Sequence, residues 1–454
     1  MESINNFLAD ANDIANWPMF TLLIGGGLFL VFFSKLLPYR FFGHAIAIVR
    51  GKYDDKSAKG DVSSLQALSA AVAATVGLGN ISGVAIAIHR GGPGVVFWIW
   101  MTALIGMCIK FYSGSLSIMF RGEDSDGKLQ GGPMFYITQG LGKKWKPLAF
   151  FFCIAGLFGF LGVFTANQFT ETFMSVIQPS EVFFQMDDFS WKLTIGIVLA
   201  IITSFVVFGG LSKIAKVATA IVPTMVMLYL AAVIVVMVMN ASEVLPSLKL
   251  IFTEAWNFNT IVTGGFWGLI IVGVKRAMFS NEAGLGSAPM YHGQSKNNEP
   301  IREGLVSMLG PFIDTIMVCT FTAIVIILSG AYLEDTDGIV MTLSAFRTTL
   351  FGYGDYLLMI IVSAFALSTL FTYSYYGVKC LSFLTNAKIG KYYNHYFVIT
   401  IVIAAVVSLD FVTYLIDLSY ALMVIPNMIA VLLLAPKVNV AAKKYFLKLK
   451  HERT

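Results

Sequence analysis

The sequence predicts an all-α polytopic membrane protein of about eleven spans, arranged as two inverted repeats of five with one peripheral N-terminal span. Three observations carry this. Over 454 residues the composition is 57% hydrophobic and 13% charged, which leaves too little polar surface for a soluble protein of that size. The apolar runs repeatedly exceed the roughly 18 to 20 residues that cross a hydrocarbon core of about 30 Å. Two of those runs are interrupted by glycine clusters near mid-length: Thr75-Val76-Gly77-Leu78-Gly79-Asn80, and Gly273 with Asn281-Glu282-Ala283-Gly284-Leu285-Gly286.

The expected spans are residues 17–37, 64–90, 94–119, 147–178, 191–210, 214–240, 259–290, 303–331, 353–384, 395–409 and 411–435. The first follows an acidic start (Glu2, Asp10, Asp13) without a basic n-region, so it reads as a retained span and not a signal peptide. Basic residues crowd alternate connections, from Lys35 to Lys59, Arg121 to Lys146, Lys213 and Lys216, Lys296 and Arg302, Lys379 to Lys391, and Lys437 to Arg453. The positive-inside rule makes that side cytoplasmic, in a plasma (inner) membrane, with the N-terminus outside and the C-terminus inside. The opposite side carries the acidic groups Glu181, Asp187, Asp188 and Glu334, Asp335, Asp337. A net charge of +5 follows from this asymmetry and is no nucleic-acid signature.

Four regions result: residues 1–60 as peripheral span and loop, 61–258 as the first repeat, 259–435 as the second, and 436–454 as a basic cytoplasmic tail. The two interrupted spans lead the two repeats and enter the membrane from opposite sides, as an inverted repeat requires. Residues 338–350 are apolar but too short to cross, and read as an interfacial or re-entrant helix on the outer side. The stretch from Ala441 to Lys450 reads as an anchor at the headgroups. Cys108, Cys153, Cys319 and Cys380 all fall inside spans without metal-ligand spacing, so they read as packing residues.

The interruptions carry the functional argument. A helix broken in lipid exposes backbone N–H and C=O groups, tolerable only where protein or a water-filled cavity satisfies them. Free N–H groups at a half-helix N-terminus suit a carboxylate, and free carbonyls at the opposing end suit a small cation. An amino acid with sodium fits both. Close packing through Gly79 and Gly83 is the competing explanation of the first cluster, but three glycines flanked by Thr75 and Asn80 lower the cost of unwinding, and the cluster lacks the GxGxxG spacing of a dinucleotide site. No GxxxxGK[ST] sequence occurs, so nothing points to ATP. Ser368 and Thr369 offer adjacent hydroxyl ligands, and back-bonding to the preceding helical turn explains them equally well. Glu171, Lys275, Arg276, Glu282 and Asp314 are charges within spans, where pairing across a gate is the expected role. Lys110 is placed to snorkel toward the cytoplasm. Gln168 is the uncharged polar group expected near substrate.

These motifs resemble the alanine/glycine:cation symporter family, a branch of the amino acid–polyamine–organocation superfamily with the LeuT-type five-plus-five fold. The resemblance covers nearly the whole chain and rests on ATVGLGNISGVAIAIHRGGPG at 74–94, QGGPMFYITQGLG at 130–142, GVKRAMFSNEAGLGSAP at 273–289, STLFTYSYYGVKC at 368–380 and VIPNM at 424–428. It implies sodium-coupled uptake of alanine, glycine or another small neutral amino acid, with no enzymatic turnover and no cofactor beyond sodium. It further implies a pocket lined by Thr75 to Asn80, hence Gly77, Leu78 and Gly79, with Gln168, Phe279 and, from the second interruption, Gly273 and Ser280. Ser368 and Thr369, with carbonyls near Thr75 and Gly79, would hold sodium. The chain departs from the family at Leu78 (often Thr), Val272 (often Trp) and Tyr373 (often Trp); the loss of two bulky aromatics implies tolerance of larger side chains, and Leu78 removes a hydroxyl that could touch the substrate carboxylate. Serine transport or proton coupling are the nearest alternatives. An intramembrane enzyme would need a convergent nucleophile and base, and a channel would not need two broken helices.

Overall fold

The computed structural model describes residues 2–53, 58–177, 186–256 and 265–451. Lys56, Glu181, Arg453, the first residues of the span expected at 259–290 and the boundary at 258/259 lie outside them. Among the described residues nine helices are long and apolar enough to cross a membrane: Ser3–Phe33, Ser64–Gly91, Val95–Met119, Lys143–Ile177, Asp188–Val207, Gly210–Met239, Pro300–Leu328, Gly354–Leu384 and Leu409–His451. Gly265–Asn281 and Tyr393–Val406 lie at the two other expected positions but, at 17 and 14 residues, are shorter than the roughly 18 that a span needs.

The first interrupted span is the most enclosed, with 94% of its most apolar stretch buried, against 33% for Asp188–Val207 and Gly210–Met239. The outer faces of those two present Ile201, Phe205, Met227 and Val238 outward, as lipid-facing helices do. The interrupted span is therefore central. Its first half, α1 (Ser64–Thr75), starts at a capping box in which Ser63 Oγ accepts from Gln66 N and Gln66 Oε1 accepts from Ser63 N. Val76 and Gly77 are extended, and α2 (Leu78–Gly91) resumes the helix. Asn80 Oδ1 takes the Gly77 N–H at 3.0 Å, satisfying one of the groups the break frees.

Packed beside it are α3 (Val95–Met119) and, after a short hairpin pairing Gly122–Glu123 with Leu129–Gln130, α4 (Val163–Ile177). In the second interruption, α5 (Gly265–Asn281) ends at Asn281 and α6 (Ala288–His292) begins after residues 282–287. Glu282, Gly284 and Gly286 have φ of 52°, 82° and 91°. Gly273 does not take part in this break. It lies inside α5, where an added Cβ would sit 2.7 Å from Trp98 Cβ, so its small size serves close packing against α3.

Residues 338–350 form the helix α7 (Gly338–Thr349), which is packed down over α2 through buried Ile339, Met341, Leu343 and Phe346. The remaining walls are α8 (Gly354–Leu384) and α9 (Leu409–His451). The end of α9 stays helical and docks on the chain near residue 44, with Tyr445 Oη 2.7 Å from His44 Nε2 and Phe446 stacked on Phe41 at 3.7 Å. The hairpin and the amphipathic helix Ala241–Glu254 are elements that hydropathy did not mark. All four cysteines are free and buried.

Candidate functional site

The first break and the last turns of α5, just before the second break, face a small cavity. It is lined by Ala74, Thr75, Gly77, Leu78 and Gly79 from the first break, Gly162, Phe164 and Thr165 around the start of α4, Phe279 from α5, Thr369 and Tyr373 from α8, and Ile416 and Tyr420 from α9. The centre of a water-sized sphere reaches only about 20 Å³ of it, little more than one water requires. The walls must part to admit an amino acid.

Glycine is needed at the first break because partners come too close for a side chain. A Cβ on Gly79 would lie 2.9 Å from the Phe279 ring, and one on Gly77 would collide with Thr369 Oγ1. Phe279 in turn packs edge-on against Phe164 (ring centroids 4.7 Å) and beside Tyr420 (5.7 Å), which makes it a wall shared by three elements. Tyr373 is fixed by its hydroxyl, which donates to Glu282 and lies 2.8 Å from the Tyr420 hydroxyl.

At the C-terminal end of α1, the Ala73 carbonyl receives Ser368 Oγ at 3.4 Å and Thr369 Oγ1 at 3.3 Å. Ser368 Oγ also donates to Phe365 O at 2.9 Å. These are four neutral, hard oxygens from two helices, at the negative end of a half-helix dipole, a donor set that suits sodium. Among the described residues no group of three or more His, Cys, Asp or Glu could hold a metal ion. The carbonyls of Ala73 and Phe365 had no mark in the sequence, since any residue supplies one.

Of the residues expected at the substrate, Thr75, Gly77, Leu78, Gly79, Phe279 and Tyr373 line the cavity. Asn80 and Ser280 lie behind its wall, bonded to one another at 2.9 Å. Gln168 is not among the lining residues: its Oε1 accepts from the Ser82 hydroxyl and from the Ile339 N–H at 3.3 Å, tying α4 to α2 and to the first turn of α7. Val272, one residue before the packed Gly273, is half-buried and also outside the lining. Gly162, Phe164, Thr165, Ile416 and Tyr420 are lining residues that the sequence did not single out, because small, apolar, aromatic and threonine residues are common throughout the spans.

The charges fall into separate groups. Glu171 pairs with Lys192 at a part-exposed position, where such a pair contributes about 0–1 kcal/mol. Arg276, 3% exposed, lies 3.6 Å from Asp417 of α9 and over the Phe279 ring at 5.7 Å. Lys275 is half-buried beside it. Lys110 does not snorkel. It is 2% exposed at mid-length in α3, near Glu282 and Asp314, because Gly310 lets its side chain lie inward.

On the face that carries the hairpin, Arg121 donates to the carbonyls of Gly293 (2.8 Å), Lys59 (3.2 Å), Asn297 (3.1 Å) and Ser295. Val62 bridges to Ser295 in the same place. The approach to α1 is thereby clasped to the segment after α6. Buried His292 and Glu303, 2.7 Å apart, and Ser64, 2.8 Å from Glu303, continue the contact inward.

Two interrupted helices around a closed cavity of hydroxyls, aromatics and free helix ends define a multi-pass membrane transporter. The chain belongs to the sodium:alanine symporter family, whose model matches residues 1–454; it is a sodium-coupled amino-acid symporter and not an enzyme. It is 38% identical to a sodium/alanine symporter of Methanococcus maripaludis, over 92% of this chain and 91% of that one. It is 34% identical to the amino-acid carrier protein AlsT of Bacillus subtilis (98% and 92% covered) and 32% identical to a probable sodium/glutamine symporter of the same organism (97% and 91%). Its fold matches that of MhsT in complex with L-phenylalanine, with a TM-score of 0.58 at 16% identity over 81% of this chain and 89% of that one.

Proposed function

We propose that this symporter imports alanine, glycine or a similar small neutral amino acid, serine included, together with sodium across the plasma membrane by alternating access. The observation that carries this reading is the pairing of opposite helix ends at one cavity. The first N–H groups of α2, at Leu78 and Gly79, have no intrahelical acceptor and suit the substrate carboxylate. The Ala73 and Phe365 carbonyls with Ser368 and Thr369 suit sodium, one turn away along the same broken span. The side chain of the substrate would then lie among Phe164, Phe279, Tyr373 and Ile416. None of these is charged, which favours a neutral side chain, and the closeness of the walls favours a small one.

In this reading Arg276 and Asp417 hold Phe279 closed on the outer side and Arg121 closes the cytoplasmic side, with the N-terminus outside and the C-terminus inside. Sodium held at the end of α1 crosses with the substrate. The test is competition of labelled alanine uptake in proteoliposomes by glycine, serine, valine, glutamine and glutamate. Inhibition should be strongest for glycine and serine and absent for glutamate. Preferential inhibition by glutamine over glycine would assign a larger substrate and overturn the size argument.

A further inference from the structure

A third interruption lies beside the cavity, in the span Lys143–Ile177, where hydropathy does not mark it. The helix Lys146–Gly159 stops, Phe160 to Gly162 leave the helical path, and α4 starts at Val163. Gly162 suits the corner on two counts: its φ is 65°, and an added Cβ would sit 2.8 Å from Leu370 Cδ2. The break brings the first turn of α4 to the cavity, where Gly162, Phe164 and Thr165 line it.

It also sets one hydroxyl free. A threonine inside a membrane helix commonly donates to the carbonyl one turn earlier, and on α4 itself Thr170 donates to Ala166 O at 2.9 Å and Thr172 to Gln168 O at 2.7 Å. Thr165 has no such turn beneath it. The residues four and three places before it, Leu161 and Gly162, belong to the interruption, and the Gly162 carbonyl accepts from the Ala166 N–H at 3.0 Å. The Thr165 hydroxyl has no hydrogen-bond partner among the described residues, although the residue is only 5% exposed.

The other hydroxyls of the cavity are committed. Thr75 Oγ1 donates to Val72 O at 3.5 Å, Thr369 Oγ1 to Ala73 O at 3.3 Å, and Tyr373 to Glu282, while the Tyr420 hydroxyl lies 2.8 Å from that of Tyr373. Thr165 alone among the lining side chains can donate to a substrate without breaking another bond. A substrate that fills so small a cavity displaces water from this hydroxyl, and must then pair with it or leave it bare. A buried polar group left unpaired costs more than an ordinary hydrogen bond returns, so a site with such a group discriminates against ligands that lack the partner. Alanine and glycine lack it. Serine carries an oxygen on Cβ and adds little volume.

We propose that Thr165 is a specificity-determining residue whose hydroxyl donates to the side-chain oxygen of a small β-hydroxy amino acid, so that serine is preferred to alanine and glycine. This rests on the reading of the cavity as the site of a small neutral amino acid, and narrows that class.

Competition with labelled alanine uptake into proteoliposomes, under one sodium gradient, gives an inhibition constant for serine, for glycine and for unlabelled alanine. In the unmutated chain the constant for serine should be about fivefold below that for alanine, the discrimination expected of one hydrogen bond. Thr165→Val keeps the shape and removes the hydroxyl; it should bring the two constants together by weakening serine while leaving alanine nearly unchanged. Thr165→Ser should retain the preference. Equal constants for serine and alanine in the unmutated chain would overturn the proposal, whether or not the variants fold. Equal weakening of both in Thr165→Val would overturn it too, because Thr165 would then only pack the start of α4. Alanine uptake without a serine preference refutes the role of Thr165 and spares the substrate reading, whereas no uptake of alanine and none of labelled serine would refute both.

Discussion

At the residue scale, the substrate and sodium readings rest on contacts of a few atoms each. Thr369 Oγ1 is one of four oxygens converging on the C-terminal end of α1, and it also abuts Gly77. Thr369→Ala should raise the sodium concentration for half-maximal uptake by about tenfold, the equivalent of about 1.4 kcal/mol, with little change in substrate KM at saturating sodium. Equal changes in both constants would place Thr369 in the general packing of α8 and not at the ion. Gly79→Ala forces a methyl group against the Phe279 ring, so substrate affinity should fall much more than the melting temperature. Val272 teaches the opposite lesson. Its departure from the family pattern reads from sequence as an enlarged pocket, but the residue lies outside the cavity lining, so Val272→Trp should leave the order of competing amino acids unchanged while Tyr373→Trp alters it.

At the scale of elements, the breaks were legible because glycine clusters inside apolar runs have no other economical explanation than unwinding or close packing. Sequence could not tell these two apart. Gly284 and Gly286 adopt positive φ and belong to a break, whereas Gly273 has the same neighbours in composition and serves packing against Trp98. Gln168 shows the same limit: a polar residue in a span is easily recognised, but whether it meets substrate or another helix depends on α7, whose position hydropathy does not encode. The hairpin-side clasp was also hidden, because Arg121 acts through four backbone carbonyls that no residue type marks. Arg121→Ala leaves those acceptors without their donor, at a cost of about 1–3 kcal/mol for each one that water cannot reach. A cysteine placed at Lys296 should then react faster with a membrane-impermeant thiol reagent in that background. Unchanged reactivity would show that the Val62–Ser295 bridge alone holds the face closed.

At the scale of the whole molecule, eleven apolar segments were countable in the sequence, while their arrangement around one cavity came from packing between residues hundreds of positions apart. Ala73 meets Thr369, and Glu282 meets Tyr373, only in the folded chain. The cavity has no charged lining residue, and the substrate proposed is a zwitterion, so sodium should cross without compensation. One charge moved through the full field is worth about 2.3 kcal/mol per 100 mV, roughly a fifty-fold change in attainable accumulation. An inside-negative potassium diffusion potential should therefore increase uptake at a fixed sodium gradient; indifference of both initial rate and final accumulation would require a balancing counter-ion.

Passage of sodium together with a small neutral amino acid through this one cavity is measured by labelled alanine uptake into proteoliposomes of the purified chain, comparing an inward sodium gradient, equal sodium on both sides, and a sodium-free inward proton gradient. Transient accumulation above equilibrium should occur with the sodium gradient alone. Full accumulation driven by the proton gradient without sodium, or equal uptake in all three conditions, would rule out sodium coupling.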